Sequence, residues 1–123
     1  MTQQDFLHRF LIEERGIRGE WIQLTDSWQA IKQNQHGAEP VQQVLGQALA
    51  AVAMLSATIK FEGSLILQDQ GDGAIKTLVA QATHDRKIRG LTRSEAVVPT
   101  GSLQDMFGSG NLVLTIKPEH ADP

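Results

Sequence analysis

Between Lys60 and Arg93 the chain alternates three strand-like runs with two turns: KFEGSLILQDQ, Gly71-Asp72-Gly73, AIKTLVAQAT, His84-Asp85-Arg86 and KIRGLTR. Runs rich in Leu, Ile, Val and Thr, broken by polar residues at short intervals, read as half-buried strands, and a Gly-Asp-Gly link reads as a tight hairpin. Strands joined this closely pair antiparallel, because a parallel pair needs a crossover of a dozen or more residues. The stretch holds no recognisable catalytic group. It therefore constrains the fold strongly and offers no chemistry of its own.

Immediately upstream, Val41, Val44, Leu45, Ala48, Leu49 and Val52 repeat at helical spacing, and from Ala48 onward apolar character spreads around the circumference. The pattern predicts a central, largely buried helix over about residues 40–59, with Pro40 in its first turn, where a missing N–H costs nothing. Gly46, Ala50, Ala53 and Ala57 form a stripe without bulk, read as the side that packs on a sheet rather than as a helix–helix seam. Ahead of this helix, the apolar segments around Leu7–Ile12 and Trp21–Leu24 predict two strands with a turn near Gly16. Thr25, Asp26 and Ser27 offer capping oxygens for a short helix that ends near Gly37. Beyond the three-strand block, residues 102–107 predict a short helix, Gly108-Ser109-Gly110 a turn, Asn111–Lys117 a last strand, and Pro118–Pro123 a tail. The fold class is α+β: a mostly antiparallel sheet covered by the long helix and short helices, in a single domain spanning 1–123.

Composition narrows the function. A chain of 123 residues can bury roughly two thirds of its unfolded surface, and its 41% hydrophobic and 20% charged residues are ordinary for a globular domain. A net charge of -3 weighs against a dedicated nucleic-acid binder. The absence of cysteine excludes disulfides, thiol catalysis and cysteine-bound zinc within these residues. The N-terminus does not resemble a secretory signal, and the longest unbroken apolar run, Ala48–Leu55, is far shorter than the roughly 18 residues of a membrane span. A cytoplasmic protein is the expectation.

Candidate chemistry is sparse. Gly71-Asp72-Gly73 followed by Lys76 lacks the spacing of a phosphate loop and stands between strands, so a hairpin is the better reading. His8, His36, His84 and His120 are scattered without ligand spacing, and no metal site is assigned. Asp69, Asp72 and Asp85 sit in or near turns, where short carboxylates bond local backbone, with a paired acid and base across neighbouring strands as the alternative, and Ser109 lacks the spacing of a nucleophile elbow. Arg86, Lys87, Arg89 and Arg93 gather at one strand, read as charges that protect a sheet edge, with anion or nucleic-acid binding as the alternative. Trp21 and Trp28, flanking the start of the first helix, are read as core or cap packing. Catalytic, cofactor-binding and metal residues are none, and the surface that would contact a partner is not identified.

The order and spacing of Arg18-Gly19-Glu20, Thr58-Ile59-Lys60-Phe61-Glu62-Gly63, Leu67-Gln68-x-Gln70-Gly71-Asp72-Gly73 and Arg89-Gly90 resemble the bacterial heat shock protein 33 family of redox-regulated chaperonins. The resemblance covers essentially the whole chain, and the K-F-E-G and Q-G-D-G elements together are more specific than either alone. It implies a non-enzymatic, ATP-independent holdase that binds unfolding proteins in the cytoplasm under oxidative and heat stress. It also implies a core domain followed by a cysteine-rich domain that holds zinc when reduced and forms disulfides when oxidised. No residue here matches those cysteines, so the chain resembles the N-terminal portion of the core domain, without the zinc and redox-switch domain.

If the rest of that core is missing, Leu112, Leu114 and Ile116 or the opposite face of their strand are expected to lack cover, and self-association follows, as a homodimer or another oligomer. The implied mechanism is hydrophobic capture. The competing expectation is a small anion- or nucleic-acid-binding module on Arg86–Arg93.

Overall fold

The strand-like alternation of residues 63–94 is realised as an antiparallel sheet to which the end of the chain adds a fourth strand. In the computed structural model, which describes residues 5–35, 37–60 and 62–119, the order is β1 (Asp5–Ile12), a 3-10 turn (Glu13–Arg15), β2 (Ile17–Leu24), α1 (Asp26–Lys32), α2 (Glu39–Thr58), β3 (Gly63–Gly71), β4 (Ile75–Thr83), β5 (Ile88–Ser94), α3 (Leu103–Phe107) and β6 (Gly110–Pro118). Strands β1 and β2 form a separate two-stranded hairpin, and the larger sheet has the order β5-β4-β3-β6. Every pairing is antiparallel, so the α+β expectation holds.

The core lies between α2 and the sheet. Val41, Leu45, Leu49 and Val52 form one fully buried stripe of the helix, meeting Leu65 of β3 and Ile75, Leu78, Ala80 and Ala82 of β4. Burying each large side chain contributes about 1.5–3 kcal/mol. Small residues in the sheet make room for the large ones of the helix. At Gly90 of β5 an added Cβ would lie 2.9 Å from Leu45 Cδ1 and 3.3 Å from Leu49 Cδ2, so the missing side chain lets the helix settle onto this strand.

Ile75 and Leu78 are both buried although an odd spacing should put them on opposite faces. An irregularity between Ile75 and Thr77 resolves this: Ile75 pairs with Ser94 and Thr77 with Arg93, so the side-chain alternation shifts by one.

Several local expectations are corrected. The bulk-free stripe is not simply packed on the sheet: Gly46 lies against the Trp28 indole, where an added Cβ would sit 3.5 Å from Cζ2, while Ala53 and Ala57 border a cavity that they share with Leu7 and Ile22 of the hairpin and Ala82 and Ile88 of the sheet. The sheet takes the large residues instead. Thr25, the N-cap of α1, makes no side-chain cap; Asp5, from β1, accepts the N–H groups of Asp26 and Ser27 at 2.8 and 3.0 Å and the Ser27 hydroxyl. The helix ends at Lys32 rather than near Gly37, and β3 begins at Gly63 rather than Lys60. Pro118, expected in the tail, closes β6 opposite Gly63, and residues 120–123 lie outside the described residues.

Helix α2 is the one described helix long and apolar enough, by length and composition, to cross a membrane. Its Val41–Val52 stripe is packed against the sheet.

Candidate functional site

The loops that could carry chemistry are occupied by their own fold. At the β3–β4 turn, the Asp72 N–H donates to Ser109 O at 3.1 Å, the Gly73 N–H donates to Phe107 O at 2.8 Å, and Asp72 Oδ1 accepts the Ser109 N–H at 2.8 Å. Amides that might have cradled a phosphate instead hold the α3–β6 connection, which favours the hairpin reading. Helix α3 is itself fixed by a capping box: the Ser102 hydroxyl accepts the Asp105 N–H, and the Asp105 carboxylate accepts the Ser102 N–H.

The remaining candidates are also separated. Asp69 stands across from Leu78 on one side and Leu112 on the other, with no second carboxylate opposite, and burial raises its pKa above the ordinary value. Asp85 is held below the ordinary value, chiefly by the Thr83 hydroxyl that donates to it, with Lys87 adding charge. His84 Nδ1 accepts the Gly63 N–H at 2.9 Å and so ties the β4–β5 turn to the start of β3. His36 and His120 lie outside the described residues, among which no group of three His, Cys, Asp or Glu side chains could hold a metal ion.

Among the described residues, two extended apolar surfaces are uncovered. The first is the outer face of the β1–β2 hairpin. The register sets Phe10 opposite Gly19, Ile12 opposite Ile17 and His8 opposite Trp21 on this face. Phe6 meets Trp21 edge-on at 4.8 Å between ring centroids, and His8 lies 4.8 Å from Phe6 and 5.7 Å from Trp21. Gly19 has no side chain to obstruct the Phe10 ring, which lies directly over it. Phe10 and Trp21 are nonetheless 48% and 55% exposed, and Ile12 and Ile17 are exposed beside them. The expectation that Trp21 packs in the core or cap is therefore corrected, whereas Trp28 does pack against α2. The signal was present in the sequence: residues alternating away from Gly16 on both strands share one face.

The inner face of the hairpin is anchored. Arg9 donates to Ala57 O at the end of α2 and lies 3.7 Å from Glu20, which also accepts the Thr58 hydroxyl at 2.8 Å. A guanidinium at a helix C-terminus meets the negative end of the helix dipole. The aromatic ridge is thus presented outward by a strand pair that is held at its back.

The second surface is β6. Leu65 pairs with Ile116, Leu67 with Leu114 and Asp69 with Leu112, so these three β6 residues extend the helix-facing side of the sheet. Helix α2 covers β3, β4 and β5 but does not reach them, leaving Leu112, Leu114 and Ile116 66%, 45% and 51% exposed.

The basic group is dispersed. Arg86 and Lys87 lie in the β4–β5 turn, Arg86 with a left-handed φ of 66°, while Arg89 and Arg93 flank exposed Leu91 on β5. Strand β5 is an edge of the larger sheet, where cations discourage pairing with another chain.

The sequence model of the family described as Hsp33 protein matches residues 5–123. The chain is 56% identical over its full length to a 33 kDa chaperonin of Nitrosococcus oceani, covering 43% of that protein. It is 41% identical over 99% of its length to a 33 kDa chaperonin of Photorhabdus laumondii, covering 42%, and 44% identical over 96% of its length to one of Photobacterium profundum, covering 41%. The chain thus spans about two fifths of the length of these relatives and corresponds to their N-terminal part.

Proposed function

The chain belongs to the Hsp33 protein family, and from that membership we propose that it supplies polypeptide-binding surface to an ATP-independent chaperone that holds unfolding proteins and keeps them from aggregating. The observation that carries this reading is the outward ridge of Phe10, Ile12, Ile17 and Trp21, backed by the Arg9–Glu20 anchor. Apolar segments of a non-native client gain about 25 cal/mol for each Å² they bury against such a ridge. Uncovered Leu112, Leu114 and Ile116 add a second apolar strip in this chain. No bond is made or broken, so the protein is not an enzyme, and it works in the cytoplasm under oxidative and heat stress. Redox control through zinc and disulfides belongs to the longer protein, since these residues contain no cysteine. Self-association, as a homodimer or another oligomer, draws on the same apolar surfaces.

The test is light scattering from a chemically unfolded client diluted into the protein. Suppression at comparable molar ratio, unaltered by ATP, is expected; unchanged scattering at several-fold excess would sink the reading for this chain. Peroxide should not raise the activity through thiols. Salt-dependent RNA binding that is lost on Arg86→Ala and Arg89→Ala would favour a nucleic-acid module instead.

A further inference from the structure

We propose that the cavity behind the β1–β2 hairpin binds an anionic amphiphile of the alkyl carboxylate class. The cavity has a volume of about 420 Å³ and lies between the inner face of the hairpin, the C-terminal half of α2 and the β4–β5 turn. That volume is within the range of small-molecule sites, about 300–1,000 Å³. Its walls are mixed: Leu7, Ile22 and Leu24 of the hairpin, Ala53 and Ala57 of α2 and Ile88 of β5 form an aliphatic side, and Ser27, Ser56, Thr83 and His84 are among the polar groups that share the lining. The bulk-free side of α2 keeps this space open, because larger residues at 53 and 57 would fill it.

The polar groups around it are unequal in availability. Asp5, the only acidic residue among the described lining residues, already accepts two backbone N–H groups and the Ser27 hydroxyl. Arg9 is committed to Ala57 O and Glu20. Lys60 and Arg86 also line the cavity, are exposed to solvent, and have side chains with no hydrogen bond or ion pair among the described residues. The aliphatic side of the cavity together with two uncommitted cations matches a ligand with an alkyl body and one carboxylate. The carboxylate sits between Lys60 and Arg86 while the chain runs inward beneath Ile22.

Calorimetric titration of the protein with octanoate and decanoate, below the concentration at which they form micelles, tests this. One saturable site per chain is expected, tightening roughly fourfold for each added methylene. Decyltrimethylammonium, of similar apolar length and opposite charge, should bind at least about tenfold more weakly than decanoate. The Lys60→Gln/Arg86→Gln pair, both surface changes, should erase that preference, whereas Arg89→Gln/Arg93→Gln and Trp21→Ser should leave it intact. Ala53→Phe should reduce binding of both probes by filling the cavity. Non-saturable binding, equal affinity for the cationic probe, or a charge preference that survives Lys60→Gln/Arg86→Gln would overturn the proposal. So would loss of decanoate binding in Trp21→Ser, which would place the ligand on the outer ridge.

Discussion

Asp5 caps a helix that begins at Asp26: its Oδ1 accepts the Asp26 N–H at 2.8 Å across the base of the β1–β2 hairpin. The same carboxylate accepts the Ser27 N–H and hydroxyl, so one side chain holds the first strand to the first helix. Asp5→Ala should therefore lower stability by about 1 kcal/mol, within the 0.5–2 kcal/mol range of cap losses. Thr25→Ala, at the formal N-cap position, should change little, and urea denaturation of the two variants distinguishes them.

Gly90→Ala places a methyl group 2.9 Å from Leu45 Cδ1. Leu45 and Leu49 are fully buried, so neither can move without disturbing the helix–sheet contact. A loss of about 1–3 kcal/mol is expected in thermal or urea unfolding. A neutral result would show that the two leucines repack freely.

Burial raises the Asp69 pKa above its ordinary 3.8. The folded state then holds this proton more tightly than the unfolded chain, so stability falls as pH rises from 3.8 through the raised value and stays reduced above it. Asp69→Asn should be more stable than the parent at neutral pH, with the difference shrinking as pH falls through the raised value toward 3.8 and gone below it. Denaturation midpoints across acidic to neutral pH supply the check.

The opposite sign applies to Asp85, whose carboxyl is held below 3.8, first by the Thr83 hydroxyl. Its contribution is present above the ordinary pKa and is lost as pH falls through the lowered one. Thr83→Val should raise the Asp85 pKa, measurable as a shift in its carboxyl NMR titration.

Replacing Phe10 and Trp21 together by Ser should raise the protein concentration needed for half-suppression of client aggregation by roughly tenfold, as expected when two aromatic anchors are lost. Both are about half exposed, so the unfolding midpoint should move little. Equal suppression by this variant would assign client binding to β6 or elsewhere.

The larger elements were legible because their signals are local. Pro40 and the Val41–Val52 spacing mark α2, and Gly71-Asp72-Gly73 marks the β3–β4 turn. What was not legible depends on partners distant in the chain. Asp5 is inconspicuous until the hairpin brings it to Ser27, and Gly46 becomes a socket only when Trp28 lies against it. Trp21 shows the same limit: its alternation with Ile17 and Gly19 along β2 is local, but whether that face is covered depends on where the hairpin sits. The irregularity after Ile75 has no residue signature in its neighbours, and it alone decides that both Ile75 and Leu78 face the core.

The pairing of Gly63 with Pro118 has a consequence for synthesis. The β1–β2, β3–β4 and β4–β5 pairs join neighbouring segments and can form as soon as each has left the ribosome, but β3 must wait for β6. During translation β3 therefore remains an unpaired edge until residue 118 emerges, and the nascent chain passes through a period in which it is itself prone to capture by other unfinished chains.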